Sequence, residues 1–127
     1  MKILLLLIAI MSVSTMSNAQ TKKQAPKLIL RHAVLFKFKD TSTPEDIKKV
    51  EEAFKALPSK IKEISGYEWG TNNSPENLNQ GFTHLFFLTF KSEADRAVYL
   101  PHPDHKAFGA ILGPHLDKVL VLDYWTK

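Results

Sequence analysis

The residues of this sequence that could carry out chemistry are its histidines and one tyrosine. The chain of 127 residues contains five histidines and no cysteine, which excludes thiol nucleophiles, disulfides and cysteine-rich zinc sites. Histidine titrates near neutral pH and can act as a general base, while a tyrosine hydroxyl can donate a hydrogen bond to a developing oxyanion. The candidates are His32, His84, Tyr99, His102, His105 and His115.

The most distinctive stretch is residues 99–105 (YLPHPDH), which holds three of these candidates. Its two prolines fix the backbone between the end of one predicted helix and the start of the next, and so direct the flanking side chains. His105, Phe108 and Leu112 have the i, i+3, i+7 spacing of one helix face. We therefore expect His105 to point inward, whereas His102 either caps that helix or faces solvent.

His32 and His84 lie in two segments, 28–39 and 82–91, whose residues alternate as in strands. Each shares a strand face with large aromatic residues, and burying an imidazole there is unfavourable unless the ring is hydrogen-bonded. One interpretation is a core histidine satisfied by a backbone carbonyl. The other is that both rings form a polar spot in an apolar cavity, which is the usual make-up of a small-molecule site.

Several other kinds of site are disfavoured by the sequence. His102 and His105 have nearly the spacing of helical metal ligands, but prolines interrupt the helix and no HExxH motif is present. Walker, GxGxxG and GxSxG motifs are also missing. The net charge is +4 without a long basic block, so nucleic acid is not an expected partner. We predict no metal and no cofactor.

The first part of the chain has the pattern of a secretory leader. Lys2 precedes an apolar run over residues 3–11, and small residues lie three and one before a cut after Ala19. We predict a signal peptide over 1–19, a polar linker over 20–28, and export to the periplasm or the extracellular space. Without a cysteine for lipid attachment, cleavage would leave no stable membrane anchor. An uncleaved anchor and a buried N-terminal strand are the alternatives.

The remainder, residues 29–126, is predicted to be one domain with the element order strand, helix, strand, strand, helix, strand. Thr43 and Ser92 begin helices as capping residues, and Pro58 splits the first helix. This order predicts an α+β, ferredoxin-like βαββαβ fold with a four-stranded antiparallel sheet and helices on one face. The predicted strands cover 28–39, 66–73, 82–91 and 119–125, and the last helical piece covers 104–112.

The third and fourth predicted strands are apolar on both faces. Two short helices can cover only one face of the sheet, so the second face requires another apolar layer. A second copy of the same sheet is the simplest supplier of that layer. We therefore expect a homodimer.

Four segments together resemble the stress-responsive A/B barrel (Dabb) domain family. They are residues 31–39 (RHAVLFKFK), 81–84 (GFTH), the pattern Tyr99-x-x-His102-Pro103-x-His105, and residues 122–124 (LDY). The resemblance extends over residues 30–125. It implies that two copies pair as a dimeric α+β barrel, in agreement with the third and fourth predicted strands, which are apolar on both faces.

The resemblance also implies roles for individual residues, because the family includes a plant cofactor-free polyketide cyclase that catalyses an intramolecular aldol condensation. His105 would match its catalytic histidine and Tyr99 its catalytic tyrosine, while His32 and His84 would match ligand-binding histidines of the pocket. Three functions remain open. The protein binds a small apolar or aromatic ligand in the barrel cavity, or is a cofactor-independent cyclase or lyase, or is a structural and interaction module without a ligand.

Overall fold

The computed structural model describes residues 25–127. The predicted signal peptide and the first part of the predicted linker lie outside these residues. The described part forms eight elements, in the order β1 (Leu30–Phe38), α1 (Pro44–Lys55), α2 (Leu57–Lys60), β2 (Gly66–Thr71), β3 (His84–Phe90), α3 (Glu93–Tyr99), α4 (Pro103–Leu112) and β4 (Leu116–Trp125).

The four strands form one antiparallel sheet in the order β2-β3-β1-β4. β1 is therefore central, and each half of the chain contributes one inner and one edge strand. In the register between β1 and β4, His32 lies opposite Asp123 and Val34 opposite Val121. This topology is the ferredoxin-like α+β fold, so the predicted fold class is confirmed.

The helix boundaries follow the local signals in the sequence. Thr43 and Asp46 form a reciprocal capping box at the start of α1, where each side chain bonds the other's backbone N–H. The split near Pro58 is confirmed, since α1 ends at Lys55 and α2 begins at Leu57. Ser92 caps α3 by accepting a hydrogen bond from the backbone N–H of Asp95 at 3.1 Å.

The last strand begins at Leu116, three residues before its predicted start at Val119. The register between β1 and β4 shifts between Lys37 and Phe38, so pairing continues past an irregularity to join Phe38 with Leu116. Such a bulge adds an unpaired residue that strand alternation does not reveal. β2 in turn ends at Thr71, two residues before the predicted end.

The hydrophobic core lies between the helices and one face of the sheet. Phe54 of α1 stacks on Phe86 of β3 with ring centroids 4.2 Å apart, and Phe108 of α4 meets Phe54 edge-on at 4.9 Å. Phe36 of β1 lies against the same cluster, 5.3 Å from the Phe86 ring. Large aromatic side chains bury much apolar area, so this cluster fixes α1 and α4 on the sheet.

The opposite face of the sheet carries exposed apolar side chains, with Leu122 of β4 56% exposed. Others on that face include Leu85, Leu120 and Tyr124. Soluble monomers rarely expose an apolar patch of this kind without a function for it.

Among residues 25–127, no helix has the length and hydrophobicity needed to span a bilayer.

Candidate functional site

A cavity of about 230 Å³ lies between α3, α4 and the sheet. Most of its lining is apolar, and three of the predicted site residues, His32, Tyr99 and His105, contribute to it. The apolar lining includes Val34, Phe36, Phe54, Leu100, Phe108, Leu112, Leu116, Val119 and Val121. An apolar cavity with a few converging polar groups has the usual composition of a small-molecule site.

Tyr99 and His105 meet at the junction of α3 and α4. Their rings stack with centroids 4.3 Å apart, and His105 Nδ1 lies 2.8 Å from the carbonyl oxygen of Leu100. A carbonyl oxygen only accepts hydrogen bonds, so Nδ1 carries the proton and donates it. Nε2 is therefore the unprotonated nitrogen of the neutral His105 ring.

His32 enters the cavity from β1 and is held by a carboxylate on β4. Its Nδ1 donates to Asp123 Oδ1 at 2.6 Å, and the His32 ring meets the Tyr99 ring edge-on with centroids 5.8 Å apart. The other oxygen of Asp123, Oδ2, accepts from Arg96 Nη1 at 2.7 Å. The order Arg96, Asp123, His32 therefore connects α3 to the cavity through β4.

Burial shapes the acid–base properties of this site. It lowers the pKa of His32 below the ordinary value of 6.5, although Asp123 acts in the opposite direction. Burial likewise raises the pKa of Tyr99, which is only 1% exposed. A phenol with a raised pKa remains protonated at neutral pH. Tyr99 is thus a potential hydrogen-bond donor beside two imidazoles.

His84, the fourth predicted site residue, lies apart from this cavity. Its Nε2 bonds Glu51 Oε1 at 2.9 Å, and its Nδ1 bonds the hydroxyl of Thr83 at 2.8 Å. Its ring lies near Trp69 and lines an open groove formed largely by residues 70–74 and 82–85. Protein groups thus engage both ring nitrogens, and the bond to Glu51 joins α1 to β3.

The two remaining histidines also lie outside the cavity lining. His102 is the N-cap of α4 and accepts a hydrogen bond on Nδ1 from the backbone N–H of Asp104 at 3.1 Å. His115 precedes β4, with Nδ1 3.8 Å from a carboxylate oxygen of Asp46. Within residues 25–127, no three histidine, aspartate or glutamate side chains cluster as a metal site would require.

Sequence reasoning missed Asp123, Arg96 and the carbonyl of Leu100 as parts of the site. Asp123 lies in a predicted strand and interrupts its apolar alternation, which is a signal for a polar function on that face. Its partner could not be read from the sequence, because pairing with His32 depends on the register between β1 and β4.

Known proteins similar to this chain agree with the fold. The sequence model of the Stress Responsive A/B Barrel Domain family matches residues 30–126. The stress-response A/B barrel domain-containing protein HS1 of Arabidopsis thaliana is 41% identical over 95 residues, covering 75% of this chain and 87% of that protein. Olivetolic acid cyclase of Cannabis sativa is 28% identical over 100 residues, covering 79% of this chain and 99% of that protein.

Two solved structures are similar as well. Hydroxynitrile lyase from Passiflora edulis superimposes with a TM-score of 0.74 at 29% identity, covering 80% of this chain and 96% of that one. A dimeric ferredoxin-like protein of unknown function from Bacteroides fragilis has a TM-score of 0.64 at 30% identity, covering 77% and 96%. With a family match over nearly the whole described chain, this protein belongs to the stress-responsive A/B barrel domain family.

Proposed function

We propose that the protein binds a small, uncharged apolar or aromatic ligand in the cavity between the helices and the sheet. The observation that carries this proposal is the convergence of His32, Tyr99 and His105 on one otherwise apolar cavity. Apolar walls provide affinity, and the two imidazoles and the phenol provide hydrogen bonds that orient the ligand.

The volume of the cavity limits the size of the ligand. A dry apolar cavity of roughly 150 Å³ accommodates benzene, and this cavity measures about 230 Å³. One aromatic ring with a short alkyl or hydroxyl substituent therefore fits. An alkylphenol such as 4-propylphenol is a suitable probe, since it combines an apolar body with one hydrogen-bond donor.

A side chain that occupies the cavity tests this proposal. Gly109 of α4 lines the cavity, and a Cβ at this position meets no atom within 4 Å. Gly109→Leu removes a glycine from a helix interior, so the fold should gain about 0.5–1 kcal/mol of stability while the cavity fills. Calorimetric titration with 4-propylphenol should show binding weakened at least tenfold.

Ala110→Leu is the matched control, because Ala110 is exposed on the same helix and does not line the cavity. Its affinity for 4-propylphenol should equal that of the wild type. If Gly109→Leu binds the probe as tightly as Ala110→Leu, the ligand is not held in this cavity and the proposal fails.

A second candidate function is cofactor-free acid–base catalysis at the same site. The observation that favours it is the tautomer of His105, which leaves Nε2 unprotonated on a ring stacked against the protonated phenol of Tyr99. His105 would remove a proton from the carbon next to a carbonyl, and Tyr99 would donate a hydrogen bond to the resulting enolate oxygen. The names olivetolic acid cyclase and hydroxynitrile lyase are those of enzymes and support this candidate.

Proton exchange tests the catalytic candidate without knowledge of the natural substrate. A neutral benzyl ketone such as phenylacetone is incubated with the protein in D₂O, and NMR follows loss of the hydrogens next to the carbonyl. Catalysis predicts faster exchange than in buffer, with the acceleration lost in His105→Ala. Exchange at the buffer rate with wild-type protein would reject catalysis of this kind.

We also propose that the protein works as a homodimer. The exposed apolar face that includes Leu85, Leu120 and Leu122 supports this, because a second sheet would cover it. Two structures similar to this chain, at 30% and 27% identity, are described as dimeric.

Export is proposed on the leader pattern of residues 1–19. N-terminal sequencing of the native protein tests it and should find Gln20 as the first residue. An intact Met1 in the soluble fraction would show that the leader is not cleaved.

A further inference from the structure

A hydrogen-bonded network of Arg96, Asp123 and His32 connects α3 to the cavity. Arg96 Nη1 lies 2.7 Å from Asp123 Oδ2, and Asp123 Oδ1 lies 2.6 Å from His32 Nδ1. The side chains of Arg96 and Asp123 are only 25% and 24% exposed. Solvent screens this pair less than it would a fully exposed one, so the guanidinium charge reaches the His32 ring.

Each side chain of this network has a distinct role. Asp123 shares its two oxygens between one cation and one imidazole, so it holds the Nδ1 proton of His32 and leaves Nε2 as the acceptor nitrogen. A carboxylate alone would also favour the imidazolium form of His32. The guanidinium of Arg96 acts against that influence, although more weakly than the carboxylate, because its positive charge lies on the far side of Asp123 from the ring.

The other groups around His32 either lower its pKa, as Arg96 does, or are uncharged. Tyr99 of α3 and Phe90 of β3 meet the ring edge-on. His105 of α4 disfavours a positive charge on His32, as does Arg96, and burial of the ring is the largest cause of its lowered pKa. Among residues 25–127, Asp123 is the one group that favours the charged form of His32.

We propose that Arg96 is a positioning residue of the cavity, which acts through Asp123 to keep His32 an uncharged imidazole with Nε2 as acceptor. The consequence for ligands, which rests on the proposed function, is a preference for uncharged molecules that donate a hydrogen bond. Carboxylates are disfavoured, because the described lining includes no lysine or arginine to pair with them.

The titration of His32 in the free protein tests the role of Arg96. Arg96→Met keeps much of the aliphatic stem and removes the charge, and Arg96→Lys restores a cation. NMR titration of the imidazole signals, assigned with His32→Gln, should show the pKa of His32 rising by more than about 0.3 unit in Arg96→Met. Arg96→Lys should keep the pKa closer to the wild-type value than to that of Arg96→Met.

Arg31→Met is the matched control. Arg31 precedes His32 on β1, and its side chain lies on the opposite sheet face, over the Phe87 ring and bonded to the hydroxyl of Thr89. Its loss removes the same formal charge and should shift the pKa of His32 by less than about 0.3 unit. The proposal is overturned if Arg96→Met shifts the pKa no more than Arg31→Met does, or if Arg96→Lys matches Arg96→Met.

The ligand preference is tested separately with two probes of similar shape. Wild-type protein should bind 4-propylphenol at least tenfold more tightly than 4-propylbenzoate at pH 7. In Arg96→Met, affinity for the phenol should fall as the pH decreases from 8 to 6, since protonation removes the acceptor on His32. Equal affinity of the wild type for both probes would refute the preference for uncharged ligands. If the wild type binds neither probe, the proposed function is refuted. The role of Arg96 is decided by the His32 titration alone.

Discussion

His105 and Tyr99 are stacked at the junction of α3 and α4, with ring centroids 4.3 Å apart and planes inclined by 28°. Proline at 101 and at 103 stiffens the connection between them. The carbonyl of Leu100, which lies between the two residues in sequence, binds Nδ1 of His105. The segment 99–105 therefore both orients His105 toward the cavity and fixes its tautomer.

The first prediction concerns these two rings. His105→Ala should weaken binding of 4-propylphenol at least tenfold, because it removes one wall of the cavity and one polar group. Tyr99→Phe removes only a hydroxyl, which contributes about 0.5–1.5 kcal/mol as a hydrogen bond, so its effect should be smaller. Calorimetric titration measures both.

His102→Ala is the internal control for that experiment, because His102 caps α4 and does not line the cavity. It should lower the free energy of unfolding by about 0.5–2 kcal/mol through loss of the cap. Its ligand affinity should stay at the wild-type value. Impaired binding in His102→Ala together with normal binding in His105→Ala would refute the site assignment.

The second prediction concerns the dependence of stability on pH. The pKa of His32 is lower in the folded protein than its ordinary 6.5, so below that pH the unfolded chain binds a proton that the folded chain does not. Stability should therefore fall with acidity from about pH 6.5 down to the folded-state pKa, with a contribution of up to about 1.4 kcal/mol per pH unit. Above pH 7.5 this contribution should be constant.

Urea denaturation of wild-type protein and His32→Gln at several pH values between 5 and 8 measures that contribution. The variant lacks the titrating group, so its stability should vary less between pH 6.5 and 5 than that of the wild type. Curves that run parallel over this range would show that His32 binds protons equally well in both states.

The third prediction concerns the exposed sheet face. Leu122 of β4 is 56% exposed on the face without helices, and Val98 of α3 is 46% exposed on the helical side. Leu122→Asp places a charge within the proposed dimer interface and should yield monomers in sedimentation at micromolar concentration. Val98→Asp, a change at a similarly exposed apolar residue, should leave the dimer intact. A monomeric wild type would contradict the dimer proposal.

The fourth prediction concerns the connection between β2 and β3. Gly81 has a φ of +82°, and a Cβ there would approach the side chain of Lys37 to 2.6 Å. Gly81→Ala should cost about 1–2 kcal/mol of stability in urea denaturation, because a side chain disfavours this backbone conformation. Gly70→Ala, where a Cβ meets nothing within 4 Å, should cost less than about 0.5 kcal/mol.

The sequence predicted the fold because its local signals are strong and agree with each other. Strand alternation, the capping residues Thr43 and Ser92, and Pro58 all act over a few residues. The inward orientation of the His105 side chain could likewise be predicted from its helical spacing with Phe108. Such features depend on local geometry, which neighbouring residues determine.

The features that escaped prediction depend on pairing between distant segments. Asp123 reaches His32 only because the register between β1 and β4 places them opposite one another. His84 shares a strand pattern with His32, yet its partners are Glu51 and Thr83, away from the cavity. Residues on equivalent faces of two strands can thus face different surroundings when they lie at different heights in the sheet.

Ligand binding in the cavity that His32, Tyr99 and His105 line can be observed residue by residue. Its most direct test is an NMR titration of ¹⁵N-labelled protein with 4-propylphenol. Saturable shifts should cluster at Leu100, Gly109 and Val121 and at the imidazole signals of His32 and His105. An absence of shifts, or a cluster confined to the groove around residues 70–74 and 82–85, would contradict binding in this cavity.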